Sequence, residues 1–198
     1  NYGYQEAQDC FVTTGDRFNA VTAEMGKWWT SLYYQELNLT CLLEIEKLIN
    51  SLRQDGAIAW GLSWGLVFAQ GAKEACVREE DCEVALRLAT VAETIMTVFA
   101  QQEELLTSQA YQQIWQDFNN LMADFYKKLT EMLVEADKWT EAFTLAEIVR
   151  VYSLRAVKNY QSPQQPIPWL TIEEISLRLP PGTLVINYLI TEKYLLAW

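Results

Sequence analysis

Trp169–Trp198 reads WLTIEEISLRLPPGTLVINYLITEKYLLAW, and here the hydrophobic period changes from about 3.6 residues to the pattern of strands. Thr171 followed by Glu174, with Leu170 and Ile175 placed to staple the entry, predicts a short capped helix running to about Arg178. Pro180-Pro181-Gly182 ends it. Thr183–Ile190 is β-branched and apolar, Thr191-Glu192-Lys193 is a polar turn, and Tyr194–Trp198 resumes the apolar run, so a β-hairpin is expected. The run Leu184–Ile190 is apolar on both faces and asks for cover on both. Two strands do not supply that cover, and the helices are expected to supply it on one side alone.

Everything upstream reads as helices. Tyr2–Thr13 forms the first, ended by Thr14-Gly15, and Asp16 caps a second that carries Phe18, Val21, Met25, Trp28, Trp29 and Leu32 on one face. Asn38 breaks it. Leu42, Ile45, Ile49 and Leu52 mark a third helix, stopping at Gln54-Asp55-Gly56. The helix over about 57–77, uncharged as far as Ala72, carries Trp60 and Trp64 one turn apart, with Gly61 and Gly65 beside them. Apolar nearly all round, it is expected at the centre of the bundle, its glycines admitting a neighbouring backbone and its tryptophans packing as core rather than stacking on a ligand. Asp81 caps a helix with Ala85, Leu88, Ala92, Ile95 and Phe99 inward, running to about Leu106. Ser108 caps the next, whose face of Tyr111, Ile114, Trp115, Phe118, Leu121, Met122, Phe125, Leu129 and Met132 is read as core rather than as a groove for a partner. Asp137 opens the last helix, with Trp139, Ala142, Leu145, Ala146, Val149 and Tyr152 on one side, and Asn159–Pro168 is a proline-rich linker.

Leu129, Ala142 and Ala146 keep the spacing of a tetratricopeptide (TPR) unit, with Thr130 standing where such a unit has a close-packing glycine. The other helices show no such period and are longer, which favours a compact, divergent TPR-like bundle over an extended superhelix. The expected fold is therefore mostly α, an antiparallel helical bundle followed by a short C-terminal β-hairpin. Residues 1–158 form the helical domain, 159–168 the linker and 169–198 the terminal unit.

The 198 residues are 51% apolar and 13% aromatic, enough for a substantial core. With 26 acidic against 15 basic residues the formal charge is −11. That sign opposes the phosphate neutralisation of nucleic-acid binding and adsorption to anionic lipid, so neither partner is expected; basic surfaces or apolar grooves of proteins are. The longest uncharged run, Gly56–Ala72, falls short of the ~20 residues of a spanning helix, so no membrane insertion is expected. The first residue is Asn1, with no signal-peptide pattern after it, which suggests a chain processed, excised or numbered from an ordered start.

No catalytic, cofactor or metal site is expected. The sequence has no histidine, which removes every Ser-His-Asp and Cys-His arrangement within it. Neither a GxxxxGK[ST] phosphate loop nor a GxGxxG pattern occurs. Cys10, Cys41, Cys76 and Cys82 contain no CxxC pair, and a zinc site would need all four from distant places. Cys82 opens a helix, where a thiol pKa falls, but Glu79, Glu80, Asp81 and Glu83 around it act the other way. The carboxylate pairs Glu79-Glu80, Glu103-Glu104 and Glu173-Glu174 sit at helix ends, where solvated termini account for them. Cys76 and Cys82 flank the turn VREED and are the pair expected to bridge if the protein matures in an oxidising compartment. Asn38-Leu39-Thr40 is a glycosylation acceptor pattern, and both features would suit an exported protein. The preferred expectation is a cytoplasmic protein with reduced thiols.

The order of parts in Leu170–Trp198, a short helix opened by LTIEEI, then LPPGT, a strand, a turn and a second strand, resembles the opening of the CHAT family. The preceding helix, DKWTEAFTLAEIVRVYSLRAV, is similar to the last helix before such a domain. CHAT proteins are caspase-like domains usually preceded by TPR-type repeats. The resemblance implies a parent that is a cysteine peptidase whose His and Cys lie beyond this hairpin. It implies for this chain the non-catalytic, helical regulatory and protein-interaction region together with the start of the α/β caspase-like domain. The partner would be the remainder of that domain or another protein, and the chain alone would hydrolyse no peptide. The alternative is a stand-alone helical scaffold whose hairpin pairs with a partner's sheet. In either case the uncovered hairpin is expected to self-associate or to fray.

Overall fold

A computed structural model describes residues 2–34, 39–54, 58–77, 82–100, 108–157, 177–183, 186 and 188–197. Seven helices precede a two-stranded antiparallel sheet among them, as the sequence predicts: α1 Tyr2–Thr14, α2 Arg17–Tyr34, α3 Leu39–Gln54, α4 Ile58–Val77, α5 Cys82–Ala100, α6 Gln109–Glu135, α7 Trp139–Val157, β1 Tyr188–Ile190 and β2 Leu195–Ala197. The fold divides into two compact units, Asn1–Ile114 and Trp115–Trp198. The division runs through α6, so α7 and most of α6 belong with the hairpin, whereas the sequence reading groups them with the helices before it. The linker at 159–168, most of the short helix expected from Thr171, and the signals Asn38, Asp55-Gly56, Asp81 and Leu106 lie outside the described residues.

In the first unit the turn between α1 and α2 is built as the sequence reads. Gly15, at φ 75°, occupies the left-handed position after α1, and the bonds from Gly15 N to Val12 O and from Asp16 N to Phe11 O close a Schellman motif. Asp16 then caps α2, its Oδ1 accepting the Asn19 amide at 3.2 Å. The core of this unit is the pair α4 and α5. Ala85, Leu88, Ala92, Ile95 and Phe99 are all buried, as their spacing requires. A Cβ on Gly61 would meet the Phe99 ring and one on Gly65 would meet Met96, which sets the two helices antiparallel.

Three expectations need correcting here. The glycines of α4 admit side chains, not a neighbouring backbone: Gly61 seats Phe99 and Gly71 seats Trp29. Nor is α4 central on all sides, since Trp60, Ser63, Val67, Gln70 and Glu74 form an exposed stripe at helical spacing. Neighbouring helices α2, α3 and α5 leave that side open, and the lack of charge before Lys73 is not by itself a reason for burial. Phe18, in the first turn of α2, is 46% exposed and outside the face it was assigned to.

The second unit is held by the aromatic face of α6. Phe118 and Tyr126 lie 6.1 and 5.7 Å, ring to ring, from Tyr152 of α7, so the face is core, as read. Asp137 does not cap α7. It sits at φ 56° as the left-handed residue of a second Schellman motif, with Asp137 N bonded to Val134 O and Lys138 N to Leu133 O. The carbonyl of Lys138 accepts the Ala142 amide, making Lys138 the first capping position of α7. Trp139, just inside that start, is 50% exposed rather than inward. A three-residue link leaves no room for both a helix stop and an Asp cap, and the stop takes Asp137.

Candidate functional site

Chemistry is sparse in this chain, so the site is sought where polar groups are buried and where apolar groups are not. Both occur at the C-terminal hairpin. Pro180–Thr183 forms the lead-in, with Gly182 at φ 82° and Thr183 N bonded to Pro180 O at 3.1 Å, a type II turn that needs glycine at its third position. Of the strand expected over Thr183–Ile190, Tyr188–Ile190 is strand, pairing Tyr188 with Ala197, Leu189 with Leu196 and Ile190 with Leu195. Leu184, Val185 and Asn187 lie outside the described residues.

Alternation along these strands sorts their side chains strictly. Leu189 and Leu196 are buried at 9% and 5% exposure, while Tyr188, Ile190 and Leu195 are 61%, 72% and 69% exposed. Ile186 is exposed as well. One face is therefore covered and the other is an apolar surface without a charged residue among those described. Soluble proteins seldom leave such a face open without a use for it.

The tip of the hairpin differs from the sequence reading in one residue: Tyr194 belongs to the turn. Thr191 N donates to Tyr194 O at 2.9 Å, and Tyr194 N donates to the Thr191 hydroxyl at 3.0 Å. Neither Glu192 nor Lys193 takes positive φ, which the favoured two-residue hairpin turns require. The tip is instead held from outside. Glu131 of α6, 1% exposed, accepts the Lys193 amide on Oε1 at 3.0 Å and the Lys128 ammonium on Oε2 at 3.4 Å. One turn on, Glu135 accepts the Lys193 ammonium at 2.8 Å and the Tyr194 hydroxyl at 3.2 Å.

Burial alone would push the Glu131 carboxyl up, but hydrogen bonds from the Thr191 hydroxyl, the Lys193 amide and Lys128 outweigh it and hold the group below its usual range. Glu135 is likewise held low, first by the hydrogen bond from Lys193, and Lys193 is raised by the same bond. A hydrogen bond to an ionised group is worth about 1.5–3 kcal/mol when buried, so the Glu131 contact is the strong one, and the half-exposed Lys193–Glu135 pair adds less.

Glu131 was not among the residues that sequence reasoning singled out. The signal available was the spacing of Lys128, Glu131 and Glu135 at the edge of an apolar face, which reads as ordinary solvated helix. Of the residues that were singled out, Cys76 is buried at the end of α4 and Cys82 is half-buried at the start of α5, on either side of a connection outside the described residues. Cys10 is exposed and Cys41 half-buried. Glu83, beside Cys82, pairs with Arg87 at 3.0 Å. The carboxylate pairs at 79–80, 103–104 and 173–174, and Asn38 of the acceptor pattern, lie outside the described residues. Trp64 packs on Phe68 at 6.0 Å, while Trp60 is half-exposed. Among the described residues no group of three or more His, Cys, Asp or Glu is placed to hold a metal ion, and no helix is long and apolar enough to cross a membrane.

Compared with family models, with curated proteins and with solved structures, the chain matches none.

Proposed function

We propose that this chain is a non-catalytic protein-interaction region in which the helices form a regulatory platform and the C-terminal hairpin is the first part of a larger sheet. The observation that carries the reading is the division of the hairpin into a buried face, Leu189 and Leu196, and an open apolar face of Ile186, Tyr188, Ile190 and Leu195. A hairpin anchored on one side and apolar on the other suits the addition of further strands and of a layer over them. The resemblance of Leu170–Trp198 to the opening of a CHAT domain names the occupant: strands of a caspase-like domain in the same polypeptide, whose His and Cys are not among these 198 residues. Reduced thiols and a cytoplasmic location go with this reading.

A photocrosslinking amino acid at Ile190, in the protein expressed from its own gene in its native cell, tests this. Crosslinks to a strand-forming peptide of the same polypeptide support the CHAT reading, and crosslinks to another protein replace it with the stand-alone scaffold. Crosslinking at Ile190 no greater than at the exposed turn residue Glu192 removes the interaction role altogether.

A further inference from the structure

Among the described residues Glu131 is the carboxylate most completely buried, and two of its three partners come from a segment about 60 positions away in sequence. The dependence runs both ways. Without the hairpin tip the carboxylate keeps Lys128 alone at 3.4 Å; without the carboxylate the Lys193 amide loses the acceptor it has at 3.0 Å. The charged and titratable groups facing Glu131 are Lys128 and, one turn on, Glu135 from α6, with Lys193 and Tyr194 from the hairpin. Protonation converts an acceptor of three hydrogen bonds into a hydroxyl aimed at donors. Among the described residues of the hairpin, Leu189 and Leu196 are the buried apolar side chains that oppose release.

We infer that Glu131 is a charge-operated latch: ionised, it holds the hairpin tip on α6, and neutralised, it releases the hairpin while α6 and α7 stay folded. Because the folded carboxyl lies below its ordinary value of 4.5, its contribution is complete above about 4.5 and is lost as the pH falls through the folded value. Release therefore lies on the acid side.

Amide exchange of the full chain, corrected for the intrinsic pH dependence, reads the latch at about pH 7 and through the acid range below 4.5. At neutral pH Glu131→Gln is expected to lower protection of the Leu189 and Leu196 amides by roughly ten- to a hundredfold, with Phe125 and Tyr152 unchanged. Wild type should lose the same protection on acidification, and the variant should lose little more. Glu135→Gln, whose carboxylate is 41% exposed, should have a smaller effect. Unchanged hairpin protection in Glu131→Gln overturns the inference. So does an equal loss at Phe125 and Tyr152, or an effect of Glu135→Gln as large as that of Glu131→Gln. If Glu131→Gln does not fold, the wild-type series decides: hairpin amides that open together with those of α6 and α7 on acidification overturn it.

Discussion

Leu189 and Ile190 are chain neighbours of similar size and apolarity, and they test the reading of the hairpin directly. Leu189 is 9% exposed and Ile190 72%. Truncating a buried Leu to Ala costs about 2–5 kcal/mol in a closed core. A strand of three residues with a single inward side chain is only partly enclosed, which places Leu189→Ala at the low end, about 2 kcal/mol, or roughly a thirtyfold loss of hairpin protection. Ile190→Ala removes a side chain that is mostly in water already and should stay within about 0.5 kcal/mol. Amide exchange at Leu196, which faces Leu189 across the ladder, separates the two without requiring global unfolding. Equal losses from the two variants, or a larger loss from Ile190→Ala, would refute the assignment of inner and outer faces and with it the open surface on which the proposed function rests.

The remaining predictions concern packing, backbone and pH. Gly61→Ala should lower stability by about 1–3 kcal/mol in urea unfolding, because its Cβ meets the buried Phe99 ring. Gly65→Ala should be nearly neutral, since Met96 is flexible and helix propensity gains about 1 kcal/mol. Asp137→Gly should stabilise by about 1 kcal/mol, removing the cost of a non-glycine residue at φ 56°, and a lowered Tm would contradict the Schellman assignment. Burial pushes the Tyr111 hydroxyl up to about 12 from 10.0, and its oxygen is buried without a hydrogen-bond partner among the described residues. Stability should therefore fall as the pH rises from about 10 toward 12, where the unfolded phenol ionises first. Tyr111→Phe should reduce that slope and stabilise at neutral pH by about 1 kcal/mol, as read by thermal unfolding.

Much of the fold was legible because single helices carry their own signals. The face of α5 from Ala85 to Phe99 is buried at every expected position, and Gly15 and Asp16 mark a stop and a start in adjacent residues, as the bonds around them confirm. Where two rules compete for one residue, sequence does not rank them. Asp137 fits both an N-cap and a left-handed stop, and the short link between α6 and α7 decides for the stop. Composition likewise says that α4 is apolar, but which side faces water depends on how many helices reach it, and Trp60 and Val67 are on the open side.

The site was legible only by half, for a reason that lies in the range of the interactions. Alternation is local, so the sequence of the hairpin announces that one of its faces lacks cover. The burial of Glu131 is not local: its environment is completed by Lys193 and Thr191, which sequence places far away. A Glu among lysines on an amphipathic helix has the same appearance whether it is solvated or latched. What distinguishes this one is a turn, Thr191–Tyr194, that lacks the residues of a self-sufficient hairpin tip and so needs an outside acceptor. The weakness of that turn and the buried charge on α6 are two halves of one device, and a hairpin with a Gly-containing tip at the same place would have no need of Glu131.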